Sequence, residues 1–450
     1  MEQSIPGYFY DKEKKKYFKI LPHHAAPAGS QYTKENVKKL KDGERKRKRD
    51  GEHAARLQRR VQRSKAMGHP IVGALGLERE QGRIPVSGSG LRWGEVYARE
   101  LDRRVILDMQ CLPSTASLTR FAIDSQTGAI VFALKNHLNE GDYNLITAPP
   151  EPLREGFSYF KSNRCRQVMH SNSSPTTSLN IGPTRTLVQT SLGDATESSS
   201  IHLTKLIDRT LYDGIWIDVG VHMILRPPNQ TSVFTSATSK VDGDIAIGTS
   251  SGINLLQETT SNWDEQQTVD FPSDVLALEF LSPTIIAAGL RDSTVRLYDQ
   301  RSAGKALRLR HSSSVTGIKQ VDEFRVVVCG IKSSLRLYDL RYQSSGNSSR
   351  KRNHSPSTLP VYDYPHNNEY RLDLGFDVDT ETGLIAAATE DKRVQIFSLH
   401  TGERLASPAF QKPFQDFPTA VQFATMSEEK RDDSKSLVVA AGGVVEECKW

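Results

Sequence analysis

The chain has 450 residues, of which 37% are hydrophobic, and it carries 59 Lys or Arg against 53 Asp or Glu, a net charge of +6. The excess lies at one end: residues 1–70 hold 19 basic and 8 acidic residues, a net charge of +11, and residues 71–450 hold 40 and 45, a net charge of −5. This composition is that of a soluble protein, and the lack of a ~20-residue apolar run or a secretory leader excludes a membrane span and predicts an intracellular chain.

Aromatic residues are concentrated near the start of the chain. In "IPGYFYDKEKKKYFKILP" (5–22), lysines are interleaved with Tyr8, Phe9, Tyr10, Tyr17 and Phe18. Aromatic rings among cations can stack on nucleic-acid bases. We favour the alternative, in which the rings form a hydrophobic patch that packs on the rest of the protein or on a partner.

The basic charge is concentrated in residues 38–68, whose centre is a run of five cations: Arg45, Lys46, Arg47, Lys48 and Arg49. Such a run is typical of a nuclear import signal or of a nucleic-acid-binding patch, and a solvated tail is the bland alternative. We favour nuclear import, which predicts a nuclear protein that is not excluded from the cytoplasm. Residues 52–65 carry only a thin apolar stripe, so a helix there needs a partner for stability.

Residues 91–230 contain strand-like stretches without an obvious repeat. "EVYARELDRRVILDM" (95–109), "LTRFAIDSQTGAIVFAL" (118–134) and "DGIWIDVGVH" (213–222) are typical of strands. The polar stretch "SNSSPTTS" (171–178) is predicted to be disordered, because serine, threonine and asparagine replace apolar residues there.

The sequence repeats itself from about residue 231. "VRLYDQR" (295–301) returns as "LRLYDLR" (335–341), and the first copy belongs to a unit of four short predicted strands between residues 275 and 310. A second unit begins at 314, and a third begins at 371 after an insertion at 342–360 that we expect to be disordered. Weaker copies begin near 232 and 419.

A four-stranded unit of this size cannot bury both faces of its sheet alone, so like units must stack. Closing the stack radially predicts an all-β fold, a seven-bladed β-propeller over residues 91–450, with eight blades as the alternative count. Residues 1–90 form a basic N-terminal segment that is partly helical or disordered. Because the last unit ends near its third strand, we expect a strand from 95–109 or 118–134 to complete it.

The strand order, the small residues on each second strand and the aromatic-Asp ending resemble the WD-repeat family. In that family a turn aspartate, a histidine before the first strand, a hydroxyl group and an aromatic residue form a hydrogen-bonded tetrad within the blade. The resemblance implies structural roles for Asp292, His366 and Asp391. It also implies core packing for Tyr298 and Tyr338, which stand where the family prefers tryptophan.

Two repeats depart from the family pattern. Lys332 replaces the turn aspartate behind His311, and no histidine precedes the blade of Asp292. We therefore expect the tetrad to be broken in both blades.

"IIAAGLRDSTVRLYDQR" (285–301) resembles the box by which WD-repeat proteins dock on the damaged-DNA-binding adaptor of cullin-RING ubiquitin ligases. Residues 325–341 match that box in their second half, and residues 5–22 resemble the opening of one subfamily, cullin-associated factor four. The resemblance implies a non-catalytic receptor that binds the adaptor through Arg301 and Arg341. An unidentified protein substrate would bind another surface.

Arg301 and Arg341 each follow a third strand in adjacent blades, so both should lie on the same face. Arginine binds carboxylates bidentately and is enriched among interface hot spots. The alternative is that each arginine only pairs with an acidic neighbour of its own propeller. Asp299 and Asp339 are expected to be structural and to cap the turn that follows them.

The sequence carries no pattern typical of catalysis. We find no Gly-rich phosphate loop and no nucleophile with a base, and Cys111, Cys165, Cys329 and Cys448 lie too far apart for a zinc pair. We therefore expect no enzyme, no metal and no cofactor. The alternative functions are a nuclear scaffold in RNA or ribosome assembly, with the basic tail on phosphates, and a chromatin-peptide reader, which needs acidic and aromatic residues around a channel mouth.

Overall fold

The computed structural model describes residues 8–11, 15–20, 32–61, 94–108, 116–136, 143–152, 158–160, 165–170, 174–193, 198–211, 214–228, 231–259, 262–302, 304–341, 358–426 and 435–449. The chain forms two compact units, Met1–His69 and Pro70–Trp450. The predicted domain boundary at residues 90 and 91 lies outside the described residues, as do residues 342–357 of the predicted insertion. No helix within the described ranges combines the length and apolar character that crossing a bilayer requires.

The N-terminal unit begins with an aromatic hairpin. Strands β1 (Tyr8–Asp11) and β2 (Lys16–Lys19) are antiparallel and pair Phe9 with Phe18. The ring of Phe18 stacks on that of Tyr32, with the ring centroids 4.1 Å apart. At least part of the aromatic stretch therefore packs within its own unit.

Helix α1 (Lys34–Val61) follows the hairpin and contains the basic run. The Thr33 hydroxyl accepts a hydrogen bond from the Asn36 amide at 3.3 Å, and Glu35 lies in the first turn, where the helix dipole favours negative charge. The helix is longer than the segment predicted at 52–65. It exposes residues 45–49 to solvent.

In the described part of the second unit, seven four-stranded antiparallel sheets follow a short helical stretch at residues 94–100. The strands of its first half are β3 (Asp102–Asp108), β4 (Ala116–Ile123), β5 (Ile130–Asn136), β6 (Tyr143–Thr147), β7 (Glu151–Pro152), β8 (Ser158–Tyr159), β9 (Cys165–His170), β10 (Thr176–Ile181), β11 (Thr186–Ser191), β12 (Ser200–Leu211) and β13 (Gly214–Leu225).

The second half continues in the same way, with a 3-10 helix at Pro408–Phe410 after β29. Its strands are β14 (Val233–Thr238), β15 (Ile245–Thr249), β16 (Gly252–Glu258), β17 (Trp263–Asp270), β18 (Val275–Ser282), β19 (Ile285–Leu290), β20 (Thr294–Asp299), β21 (Gly304–Arg310), β22 (Val315–Gln320), β23 (Arg325–Gly330), β24 (Ser334–Asp339), β25 (Tyr362–Pro365), β26 (Phe376–Asp379), β27 (Leu384–Ala388), β28 (Val394–Ser398), β29 (Arg404–Leu405), β30 (Pro418–Ala424), β31 (Ser436–Ala441) and β32 (Val444–Lys449).

The sheets are the blades of a propeller. Blade one is β4, β5, β6 and β9, blades two to six are the successive groups of four from β10 to β29, and blade seven is β30, β31, β32 and β3. The first strands of neighbouring blades contact one another around the axis, and β30 of blade seven contacts β4 of blade one, so the ring is closed. The predicted count of seven blades is confirmed, and two of them come from the stretch without obvious repeats.

Blade seven takes its outermost strand from the beginning of the propeller. Strand β3 pairs antiparallel with β32, which confirms the expected completion by a strand from residues 95–109. Arg103 on β3 reinforces this pairing: its Nη2 donates to Glu446 at 2.9 Å, its Nη1 donates to the Lys412 carbonyl at 3.2 Å, and its guanidinium lies 3.8 Å from the centre of the Phe414 ring.

Residues 176–178 belong to strand β10, so the predicted disorder is wrong at these positions. The buried Ser178 hydroxyl is hydrogen-bonded at 2.7 Å to the hydroxyls of Thr190 in its own blade and Ser236 in the next blade. The Ser178 hydroxyl therefore forms hydrogen bonds within and between blades and is not exposed to water. Residues 171–173 lie outside the described residues.

Arg120 on β4 ties blade one to its neighbours at the axis. Its Nη1 donates to the carbonyls of Thr419 on β30 at 3.0 Å and Asp373 at 3.3 Å, and its Nε donates to the carbonyl of Thr177 on β10 at 3.4 Å. One side chain therefore bridges blades one, two and seven, next to the seam where the ring closes. Sequence reasoning did not identify this residue.

We predict that Arg120→Ala lowers the free energy of unfolding by about 2 kcal/mol, because carbonyls of three elements lose a charged donor. Urea denaturation measures the change. Arg99→Ala is the control, since within the described ranges Arg99 forms an exposed ion pair with Glu95 and its loss should change stability by less than ~0.5 kcal/mol. Equal effects of the two substitutions would contradict the bridging role.

The tetrad expected to be broken behind Lys332 is rebuilt with another residue. His311 Nδ1 lies 2.9 Å from the Tyr338 hydroxyl and its Nε2 lies 2.9 Å from the Ser334 hydroxyl, which takes the place of the missing aspartate. Ser334 is also 2.6 Å from the Ser313 hydroxyl. The expectation of a broken network is therefore wrong for this blade, because a hydroxyl at the start of β24 reaches the histidine directly.

The other predicted tetrad residues lie at the expected turns with different partners. Asp292 accepts hydrogen bonds from the amide (3.0 Å) and hydroxyl (2.6 Å) of Thr294 and so caps the turn before β20. His366 Nε2 is bonded to the Ala388 carbonyl at 2.8 Å, whereas Asp391 accepts from the Thr389 hydroxyl. All three act within the blade, as structural residues do.

We predict that His311 makes the propeller sensitive to acid. Burial, reinforced by the nearby Arg336, lowers the pKa of His311 from 6.5 to about 3 in the folded state. Below pH 6.5 the His311 imidazole therefore binds a proton in the unfolded chain but not in the folded chain. The contribution of His311 to the free energy of unfolding is fully present above pH 6.5 and falls as the pH drops from 6.5 toward 3. Between pH 7 and 5 this amounts to roughly 2 kcal/mol.

The test is the free energy of unfolding at pH 7 and pH 5 for wild type and His311→Gln. The variant should be less stable at pH 7 but should lose about 2 kcal/mol less than wild type on acidification. The comparison with wild type is necessary because burial also lowers the pKa of His202, to about 4. An identical loss in both proteins would exclude His311 as a source of the acid sensitivity.

Candidate functional site

The two predicted arginines lie in equivalent turns of adjacent blades. Strand β20 of blade four ends at Asp299 and strand β24 of blade five ends at Asp339, and Arg301 and Arg341 follow two residues later. Because each blade repeats the same strand order around the ring, the turns after third strands all lie at one edge of the propeller. We call the surface formed by Asp299, Arg301, Phe324, Asp339 and Arg341 the arginine edge.

Each arginine is held by the aspartate of its own turn. The backbone amide and Nε of Arg301 donate to Asp299 Oδ1 at 3.0 and 3.1 Å, and Nη2 donates to Oδ2 at 3.0 Å. Arg341 binds Asp339 in the same way, at 3.0, 3.0 and 2.6 Å. The expected structural role of the two aspartates agrees with this geometry, and each arginine does pair within its own blade.

The pairing orients the guanidinium groups without burying them. The side chains of Arg301 and Arg341 remain 68% and 56% exposed. The hydrogen bonds from the arginines hold the pKa values of Asp299 and Asp339 below the usual range, so both carboxylates stay ionised near neutral pH. The arrangement presents two fixed cations at one edge.

The two copies differ in what lies beneath the guanidinium. The Cζ atom of Arg341 lies 4.8 Å from the centre of the Phe324 ring, on the turn between β22 and β23, and Phe324 is 40% exposed. The equivalent turn of blade four carries Thr284: its carbonyl accepts from the Gln300 amide, just as the Phe324 carbonyl accepts from the Leu340 amide. Sequence reasoning missed Phe324, although an aromatic residue within the polar turn "VDEFR" was a detectable signal.

Tyr298 and Tyr338 are buried, with 1% and 0% of their surface exposed. The Tyr298 hydroxyl donates to Gln267 at 2.8 Å, and the Tyr338 hydroxyl is bonded to His311. Both are core aromatic residues with satisfied hydroxyls, as predicted. Neither is available to a ligand.

The axis of the propeller contains a channel of about 720 Å³ lined by the first strands of the blades. At one level each of the seven first strands contributes the residue that pairs with the third residue of its blade's second strand. These residues are Phe121, Asn180, Ser236, Glu279, Lys319, Asp377 and Gln422.

The charges at this level of the channel are paired. Lys319 Nζ lies 3.0 Å from Asp377 Oδ1, which raises the pKa of Lys319, and Lys240 Nζ lies 3.7 Å from Glu279 Oε1. Each carboxylate at this level faces a lysine, and Phe121 is the one aromatic residue among the seven positions. This level therefore does not form the ring of acidic and aromatic residues that a chromatin-peptide reader requires.

Within the residues that the structure describes, no group of three or more His, Cys, Asp or Glu side chains is placed to hold a metal ion. Cys329 and Cys448 are buried free thiols. Burial raises the pKa of Cys329 to about 11, so this thiol stays protonated and unreactive. Cys111 and the side chain of Cys165 lie outside the described part.

No family model matches the chain. It is 23% identical over 400 residues to WD repeat-containing protein 21 of Schizosaccharomyces pombe, covering 86% of each chain. It is 25% identical over 422 residues to DDB1- and CUL4-associated factor 4 of Homo sapiens, covering 89% of this chain and 78% of the relative. A shorter similarity, 25% over 175 residues, covers 38% of this chain and 31% of U3 small nucleolar RNA-associated protein 15 of Saccharomyces cerevisiae.

The seven-bladed ring confirms the predicted β-propeller. The similarities to a WD repeat-containing protein and to a DDB1- and CUL4-associated factor agree with the resemblance stated from the sequence.

Proposed function

We propose that this protein is a non-catalytic substrate receptor of a cullin-RING ubiquitin ligase and that it docks on the damaged-DNA-binding adaptor through Arg301 and Arg341. The observation that carries the proposal is the pair of exposed, oriented guanidinium groups at one edge of adjacent blades. The similarity over 422 residues to a relative whose name states association with DDB1 and CUL4 supports it.

The geometry suits a docking surface. Each guanidinium is fixed by its own aspartate, so less side-chain freedom is lost when a partner binds. A planar, permanently charged group can bind a carboxylate or carbonyl of the partner and tolerates partial desolvation better than lysine does. The protein substrate, whose identity is unknown, would use a different surface of the propeller, and ubiquitin transfer would occur on other subunits.

The N-terminal unit supplies two further proposed roles. The exposed cations at residues 45–49 of α1 serve nuclear import. The sequence from residue 52 onward has too thin an apolar stripe for a helix that is stable alone, and this segment docks on the same adaptor.

We predict that replacing Arg301 and Arg341 together by alanine weakens binding to the purified adaptor by at least about 2 kcal/mol, roughly thirtyfold. Calorimetry or co-precipitation measures the loss. Arg393→Ala is the control: the Arg393 side chain is 42% exposed and pairs with an aspartate two residues away, Asp391, but in the turn after a second strand, at the opposite edge. Undiminished binding by the double variant would remove the proposed docking role.

A second candidate function is a nuclear scaffold in RNA or ribosome assembly. It is favoured by the five exposed cations on α1 and by the similarity to a U3 small nucleolar RNA-associated protein. In that case the basic helix contacts phosphates, and RNA affinity falls steeply as salt rises.

We predict that substituting glutamine at all five positions 45–49 moves the protein from the nucleus to the cytoplasm and leaves its affinity for the adaptor unchanged. Fluorescence microscopy and the same binding assay measure the two effects. Wild-type RNA binding that weakens with salt and disappears in this variant would instead favour the scaffold.

A further inference from the structure

We infer that Phe324 belongs to the adaptor-binding surface and that the Phe324–Arg341 pair is its stronger half, so that the two arginines contribute unequally. The inference rests on the proposed function and adds a residue that the repeated motif does not contain. It also assigns the chemistry of the partner: an acidic side chain flanked by an apolar one.

The turn that carries Phe324 is rigid. Asp322 Oδ1 accepts hydrogen bonds from the amides of Phe324 at 2.9 Å and Arg325 at 2.8 Å, and Asp322 Oδ2 accepts from Arg325 Nε at 2.6 Å. The Phe324 carbonyl accepts from the Leu340 amide at 2.7 Å, which joins this turn to the one that holds Arg341. An exposed aromatic ring on such a turn loses little freedom when a partner covers it.

The ring and the guanidinium act on the same part of a partner. Arg341 lies over the Phe324 ring at 4.8 Å while Asp339, whose side chain is only 6% exposed, holds one edge of the guanidinium. A partner that places an apolar side chain on Phe324 excludes water from the neighbouring cation. A carboxylate bound to Arg341 is then less screened and is held more strongly.

Blade four lacks this support. Thr284 occupies the position equivalent to Phe324, and Arg301 is the more exposed of the two arginines at 68%. An ion pair formed there stays closer to water and is more strongly screened. The ranking from geometry is therefore the reverse of the ranking from sequence, in which residues 285–301 match the docking box more completely than 325–341.

The test compares the affinities of single variants for the purified adaptor. We expect Phe324→Ala to weaken binding about tenfold, and Thr284→Ala, the matched change in the equivalent turn, to change it by less than about twofold. Arg341→Ala should weaken binding more than Arg301→Ala. The double variant Phe324→Ala with Arg341→Ala should lose less than the product of the single effects, because ring and cation act as one unit.

Thermal melting of each variant establishes that the propeller is intact, and Phe324→Leu, which keeps an apolar cover but removes the ring, replaces the alanine variant if that variant is unstable. The leucine variant should bind with intermediate affinity. Normal binding by the Phe324 variants, together with weak binding by the double arginine variant, overturns the inference and leaves the proposed function standing. Normal binding by every variant overturns both.

Discussion

The pairing of β3 with β32 is the constraint on which the rest of the structure depends. Without it blade seven would have only three strands, and the first and last segments of the propeller would share no sheet. Residues from the two ends of the propeller instead share one sheet, and the Arg120 guanidinium bridges the same seam at the axis. Closure leaves each blade one orientation, so every turn of a given kind lies at the same edge.

Closure of the ring places the two copies of the heptapeptide next to each other, so that their arginines form one surface. Residues 295–301 and 335–341 are similar only in sequence until the ring sets their blades side by side. The Asp-x-Arg pairs at their ends are exposed, and exposed ion pairs contribute little to stability because water screens them. Their effect is one of orientation. Each aspartate fixes the direction of its arginine's guanidinium, and more than half of the surface of each arginine side chain remains accessible to solvent.

The sequence predicts those features that depend on local repetition. The four-strand unit, the closing strand, the blade count and the burial of Tyr298 and Tyr338 follow from periodicity and from the family resemblance. The sequence does not predict features that depend on which blades are neighbours. Arg120, for example, donates hydrogen bonds to carbonyls that lie 57 to 299 residues away along the chain. The hydroxyl-rich sequence of β10 predicts disorder, because the hydrogen-bond partners of these hydroxyls lie in another strand and another blade. The contact of Phe324 with Arg341 depends on the folded arrangement of two separate turns, so the sequence around Phe324 does not predict it.

In the heptapeptide of blade five, two consecutive residues, Tyr338 and Asp339, connect the core to the arginine edge. Tyr338 is fully buried and bonded to His311, which Ser334 in turn holds, while the next residue, Asp339, binds Arg341. Any shift of β24 along its axis would break both sets of hydrogen bonds, so the network in the core and the pair at the edge fix the same strand. In blade four the Tyr298 hydroxyl bonds to Gln267 of the preceding blade. Strand β24, which precedes Arg341, is therefore anchored within its own blade, whereas strand β20, which precedes Arg301, is anchored to the preceding blade. This is a second physical difference between two copies that are similar in sequence.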